Sequence, residues 1–334
     1  MDNLTHTLTG LALARAGLNR LSPRATWVLV LAANATDIDV VAAFRSSLDY
    51  LDYHRHLTHA FAGMPLVALL PLAVVRLATR QPLEFWKCYA ASLIGVLSHI
   101  LLDWSTIYGM RLWLPFSARW HGLDIISVID LWIWAALLLS VAAPWLGGLV
   151  SSEIGEVRRN RTGRGWAIFA LAFLAVFAGA RAVLHERAVA VLESRIYQGA
   201  APWRVAAFPT ATNPFRWRGL VEGAAFYGLH DVDLLASFDP AAGIVFHKAT
   251  GRPAMDAAGR TAPFQALLRF TQYPLWVVTP AAEPEGAVEV RLLDLRFGTP
   301  RQAGFVATAL VDPAGRVLTS YFRFGIFRPR SPQR

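Results

Sequence analysis

In a chain of 334 residues, 55% are hydrophobic and only 16% charged, where a soluble globular protein carries about 25% charge, so part of the chain belongs in lipid. The formal charge of +9 does not make it a nucleic-acid binder, because the arginines sit singly or in short loops rather than in a basic stripe interleaved with aromatics. One cysteine, Cys88, excludes an intrachain disulfide framework and any multi-cysteine zinc site, and leaves the redox compartment open.

In chain order, the N-terminus has Asp2 where a secretory signal carries cations and Thr5, His6, Thr7 and Thr9 where it is apolar, so no cleaved signal is expected. His6 to Leu18 and Ala25 to Ala35 are apolar but short, and are expected to form a helical hairpin. Four runs suit membrane spans, which need roughly 20 residues at about 1.5 Å each: Ala60 to Val75, Phe85 to Leu102, Ile125 to Val150 and Trp166 to Leu184. A membrane helical domain is therefore expected over 1–184, an amphipathic connector helix over 185–200, and a β-rich domain over 201–334. In that last stretch AVEVRLLDLRF (287–297) alternates, and DPAG (312–315) reads as a hairpin turn. No internal repeat is apparent.

Orientation follows the Lys and Arg of short loops. Arg15, Arg20, Arg24, Arg76, Arg80, Lys87, Arg158, Arg159, Arg161 and Arg164 make ten cations on one side; Arg45, Arg55, Arg111 and Arg119 make four on the other. The first side is expected to be cytoplasmic, which puts the C-terminal domain outside.

On this topology His6, Asp37, Asp39, His54, His56, His59, His99 and Asp103 all fall at the outer ends of helices. Ionisable groups at the edge of a bilayer face the bundle interior and pair with each other or with ions, so the set is a functional-site candidate. His99 and Asp103, four apart, share one helix face; an ordinary ion pair is the plain alternative. Asp37 and Asp39 converge only if their backbone is extended or turned. Nitrogen and carboxylate donors without thiolate favour zinc, manganese or iron, with zinc the expected choice and one to three ions held. Arg55 is a candidate clamp for a substrate phosphate or carboxylate, with interfacial snorkelling as its plain reading. Thr58 and Thr106 are candidates to orient the imidazoles. His121, Asp124 and Asp130 stay undecided between ligand and interfacial polar group. A Ser-His-Asp arrangement at Ser98 and His99 is discounted, and no Gly-rich phosphate loop is present.

THTLTG (5–10), ATDID (35–39), HRHLTH (54–59), SHILLDWSTIYG (98–109) and LWLPF (112–116) together resemble the YdjM/YbcI family of inner-membrane proteins assigned as metal-dependent hydrolases, over roughly residues 1–200, with a familiar NPFRW at 213–217. The resemblance implies an inner-membrane enzyme with His6, Asp37, Asp39, His54, His59, His99 and Asp103 at motif positions, and leaves His56 outside them. Thr36 stands where the family usually has proline. The ligand order is distantly similar to zinc-dependent phospholipase C. The resulting expectation is a metal-activated water attacking a phosphoester or ester, a lipid headgroup among the candidates, with Asp37, Asp39 and Arg55 catalytic. The rival readings are a metal-ion or small-solute transporter built on the same cluster, and a non-catalytic anchor for the β-rich domain.

Overall fold

The computed structural model describes residues 1–153, 163–249 and 253–325; Arg158, Arg159 and Arg161 lie outside them. Helix α1 (Asn3–Ala16) starts at Asp2, whose carboxylate accepts from Thr5 N at 3.0 Å and from Thr5 Oγ1 at 2.6 Å, satisfying an otherwise orphaned end amide. It packs against α2 (Ala25–Ala32) as the expected hairpin. Small residues set that contact: a Cβ on Gly10 would stand 2.8 Å from Leu29 O and 2.9 Å from Ala33 Cβ. Gly95 of α6 (Phe85–Trp104) approaches α2 from the other side just as closely, with a Cβ there 2.7 Å from Ala32 Cβ. The α2 backbone is thus clamped between two glycines, the arrangement that lets helices meet closely in lipid.

After α2 the chain bends by 46° into a 3-10 segment, Ala35–Phe44. Helix α3 (Ser47–Tyr53) and a 3-10 turn, Leu57–His59, follow, and an 88° bend leads to α4 (Met64–Val67) and α5 (Leu69–Thr79). The straight span expected over Ala60 to Val75 is therefore not one helix from its start. Pro65 opens α4 afresh, and Gly63 folds so tightly onto Leu57 O that a Cβ would stand 1.9 Å away. Helix α7 (Leu131–Glu153) begins six residues later than the apolar run, because the amides of Ile125 and Ile126 both donate to Ser105 O at 3.0 Å. Asp130 caps α7 instead, its Oδ1 accepting from Trp132 N and Ile133 N. Helix α8 runs unbroken from Arg164 to Glu193. Residues 185–193 of the separate connector expected over 185–200 are the end of this same helix, since no Gly or Pro interrupts 180–193 and each residue there continues a helix readily, while 194–200 are not helical. Among the described residues three helices, Phe85–Trp104, Leu131–Leu149 and Arg164–Glu193, are long and apolar enough to cross a membrane, and up to five spans result if each bent pair counts as one.

The remainder is β-rich. One antiparallel sheet has the order β1 (Arg204–Pro209), β2 (Arg216–Glu222), β3 (Phe226–Asp233), β4 (Ile244–His247). Helices α9 (Pro253–Gly259) and α10 (Ala262–Phe270), which the sequence did not announce, precede β5 (Pro274–Pro280) and β6 (Val288–Asp294). A short hairpin, β7 (Gly298–Thr299) and β8 (Gln302–Ala303), leads to β9 (Phe305–Val311) and β10 (Val317–Phe324). The second sheet has the order β10-β9-β6-β5, with DPAG as the β9–β10 turn and Gly315 at φ +80°, the left-handed conformation glycine adopts freely. α9 and α10 cover one face of this sheet around Phe264, Leu267 and Phe270.

The β-rich domain is fastened to the helical part. Arg296 Nη1 donates to Ile107 O at 3.0 Å, Arg269 Nη2 pairs with Asp52 at 2.7 Å, and Tyr108 lies among Phe270, Phe297 and Phe305. On α8, Arg181 is buried with its guanidinium 4.0 Å over the Trp217 ring and donates to Ile125 O and Pro214 O. Asp124 lies in this joint with a left-handed backbone, φ 56°. Desolvation pushes its carboxyl up to about 7, with Arg296 opposing and Asp294 reinforcing the rise. A carboxyl raised from 3.8 stabilises the folded chain most below pH ~4, and that contribution is lost as pH rises through about 7. A fall in melting temperature between pH 5 and 8 is accordingly expected, and Asp124→Asn is expected to flatten it; equal slopes in the two proteins would contradict the burial of this group.

Candidate metal centre

The centre lies at one end of the helical part. Helix α6 carries His99 and Asp103 in its last turns, and at about 1.5 Å per residue they stand nearly a full span from Phe85. At the Phe85 end the cation-bearing loops meet: Arg24 donates to Pro82 O and Gln81 Oε1, and Arg164 Nε to Ala16 O.

Asp37, His59, His99 and Asp103 each present one donor atom within 4.8 Å of the others. His59 Nε2 is 3.3 Å from His99 Nε2, 3.4 Å from Asp37 Oδ1 and 3.5 Å from Asp103 Oδ2. His99 Nε2 is 3.6 Å from Asp37 Oδ1 and 3.5 Å from Asp103 Oδ2. A tetrahedral ion with bonds of about 2.0–2.2 Å sets its donors about 3.3–3.6 Å apart. Five edges of the quartet match that figure, so the residues fit a zinc-type ion.

Both imidazoles are turned to offer Nε2. His99 Nδ1 bonds to Ala33 O at 2.7 Å, and His59 Nδ1 lies 3.1 Å from Asp39 Oδ2, the hydrogen bonds that orient metal-ligating histidines. Ala33 reaches His99 because the Gly95 contact brings α2 against α6 one turn earlier.

Asp37 and Asp39 do converge, since donor atoms of both lie within 4.8 Å of each other and of His54, but they take different places around His59. Their segment is a 3-10 helix at about 3 residues per turn, so residues two apart stand about 120° apart around its axis. Asp37 faces the quartet, and Asp39 passes behind the His59 ring. There it also accepts from Arg55 N at 2.9 Å and Thr58 Oγ1 at 2.8 Å, and its Oδ1 is 2.9 Å from His54 Nδ1. Asp37, Asp39 and His54 offer a second, smaller donor group.

His6 stacks on His99 with centroids 3.7 Å apart, and its Nε2 is 3.3 Å from Asp103 Oδ1. Both His6 ring nitrogens are buried without a hydrogen-bond partner among the described residues. The Met1 nitrogen also pairs with Asp103. Arg55 is buried at φ 57°, a left-handed turn costing about 1–2 kcal/mol. The turn lets its amide reach Asp39 while Nη2 reaches Asp103 Oδ2 at 2.9 Å and Nη1 reaches Thr106 Oγ1 and Gly109 O. A guanidinium so enclosed holds Asp103 in place and does not face the opening, contrary to the substrate clamp expected of it.

His56 is half-buried beside Tyr53 and stays outside the cluster. His121 pairs through its backbone with Met110, Asp124 belongs to the joint, and Asp130 caps α7, so none of the three reaches the quartet. Two neighbours escaped the sequence reading: Tyr108, whose ring packs against His54 and under Arg55, and Tyr50, stacked on His54. Tyr108 sat in the IYG of a noted motif; Tyr50 carried no signal.

Comparison with known proteins accords with the two-part build. The YdjM inner membrane protein family matches residues 1–188, and the YfhP C-terminal alpha/beta plait domain matches residues 253–331. "Uncharacterized protein YfhP" of Bacillus subtilis (strain 168) is 28% identical over 158 residues, 44% of this chain and 47% of that protein. The chain thus spans about half the length of this relative. No solved structure matches. With 188 of 334 residues matched and three to five apolar spans, the chain is a multi-pass membrane protein that belongs to the YdjM inner membrane protein family.

Proposed function

We propose that the chain is a membrane-bound metal-dependent hydrolase of phosphoesters or esters, with Asp37, His59, His99 and Asp103 holding a divalent ion, zinc in the first instance. The observation that carries this reading is the quartet's spacing, 3.3–3.6 Å between donors with both imidazoles already oriented. Such an ion supplies Lewis acidity, lowering the pKa of a water from about 15.7 towards 7. The chain supplies the rest. Asp39 orients His59, Arg55 offsets the charge of Asp103, and His6 and His54 complete the polar lining. Asp37, the quartet member with an exposed edge at 17%, is where substrate arrives and the residue best placed to guide a proton.

That edge has an apolar rim. Ile38, Val40, Val41 and Leu57 are exposed beside it, and Phe44 is 91% exposed. In a membrane protein this rim favours a substrate borne by lipid, whose acyl chains lie along it while the headgroup meets the ion. The distribution of Lys and Arg over the short loops supports a reading with this end, and the β-rich domain, on the outer side of the inner membrane. A cysteine at Ser46 is then labelled from outside and one at Gln81 only after permeabilisation; the same side for both would overturn the orientation.

One observation favours a second reading, metal-ion transport. Asp37, Asp39, His54 and His59 lie on the two bent helix pairs, and discontinuous helices are the usual setting of transporter sites. Purified protein in micelles, given a phospholipid or a generic phosphodiester, separates the two. Hydrolysis that stops on chelation and returns with zinc supports the enzyme; zinc uptake into proteoliposomes without hydrolysis supports transport.

A further inference from the structure

We propose that the β-rich domain holds a second binding site, remote from the metal centre, that recognises the phosphoryl group of a small soluble ligand. In β6, Glu289 and Arg291 alternate with buried Val290 and Leu292, and so project from the face opposite α9 and α10. Register carries that face across the sheet: Arg291 lies opposite Thr308, Thr308 opposite Tyr321, and Arg323 opposite Val306. At one end of the face Leu293 and Val306 pack in the core shared with the first sheet. Beyond them the β7–β8 hairpin brings Arg301 over the edge. A cavity of about 890 Å³ results, lined by Arg291, Arg301, Arg323, Thr308, Tyr321 and Glu289.

Three guanidiniums thus face one carboxylate. Glu289 lies 3.4 Å from Arg291 Nε, and Arg291 Nη1 donates to Pro300 O at 3.3 Å. Arg323 Nε is buried without a hydrogen-bond partner among the described residues. Closely placed guanidiniums repel and lose hydration unless an anion joins them, and their forked donors match the oxygens of a phosphate. The hydroxyls of Thr308 and Tyr321 add donors on the same face. A walled cavity of this volume suits a small molecule better than the plane of a bilayer, and no residue of the metal quartet lines it.

The test uses the full chain in micelles, stripped of metal with chelator, titrated calorimetrically with glycerol 3-phosphate. Saturable binding is expected, weakened about tenfold or more by Arg291→Gln with Arg323→Gln and unchanged by Asp103→Asn. Should the double variant fail to fold, Arg301→Gln on the exposed hairpin is expected to weaken binding several-fold. No saturable binding up to about 10 mM, a weak limit of specific affinity, would overturn the proposal. So would equal affinity in the arginine variants, or a response only to phosphatidylglycerol doped into the micelles, which would make the face a lipid contact. Because the protein is metal-free throughout, failure here leaves the hydrolase reading untouched.

Discussion

His99→Ala is expected to release the bound ion and reduce hydrolysis to the chelated background, while Asp39→Asn retains the ion with about 10–100-fold lower affinity or activity. The difference follows from position. His99 offers Nε2 directly to the quartet, and truncation leaves three donors around a deprived ion. Asp39 meets the quartet through His59 Nδ1, so its loss frees the ring's orientation and tautomer without removing a donor of the quartet, and effects of that kind run about 10–100-fold. Asp103→Asn groups with His99→Ala in metal loss, and Arg55→Gln groups with Asp39→Asn. Metal content and rate measured side by side on the four variants check this ordering. Equal retention of metal in His99→Ala and Asp39→Asn would show that the ion, if held, lies elsewhere.

Gly95→Val is expected to disable the same centre without touching a ligand. A single Cβ at residue 95 would already stand 2.7 Å from Ala32 Cβ and 3.1 Å from Leu29 O, so α6 must move from α2. Overpacking of this kind costs about 1–3 kcal/mol. The displacement also parts His99 from Ala33 O, one turn further along α6, and a shift of about 1 Å at a reacting centre costs on the order of a hundredfold in rate. Gly179→Ala on α8 is the matching control, since a Cβ there meets nothing within 4 Å; it should be neutral or stabilise by up to about 1 kcal/mol through helix propensity. Thermal unfolding in micelles together with metal content separates the two glycines. A Gly95→Val protein that melts and binds metal like the unaltered chain would refute the clamp on α2.

What the sequence made legible, and what it hid, has a physical pattern. His99 and Asp103 were readable because an α-helix fixes where residues four apart point, and α6 is a long uniform helix. The hairpin at DPAG was readable because turn chemistry is local. Asp37 and Asp39 were readable as a pair, but which of them joins the quartet was not, because whether a stretch is extended or 3-10 is settled by what it packs on. Arg55 was visible as a cation beside the motif histidines. Its left-handed backbone follows from contacts to Asp39 and Asp103, and the Tyr108 ring that covers it is held by the β-rich domain, more than 150 residues away. The runs Ala60 to Val75 and Ile125 to Val150 differ in extent from the helices for a related reason: hydropathy reports where lipid is tolerated, while Gly63, Pro65 and Asp130 decide where helices begin.

The central claim is that one divalent ion sits between Asp37, His59, His99 and Asp103. Elemental analysis of the protein purified without added metal, repeated on His59→Ala with His99→Ala, tests it most directly. The expected result is about one transition-metal ion per chain, zinc foremost, lost in the double variant while the helical content is retained. A folded protein that holds no transition metal, or holds it equally well without both histidines, would contradict it.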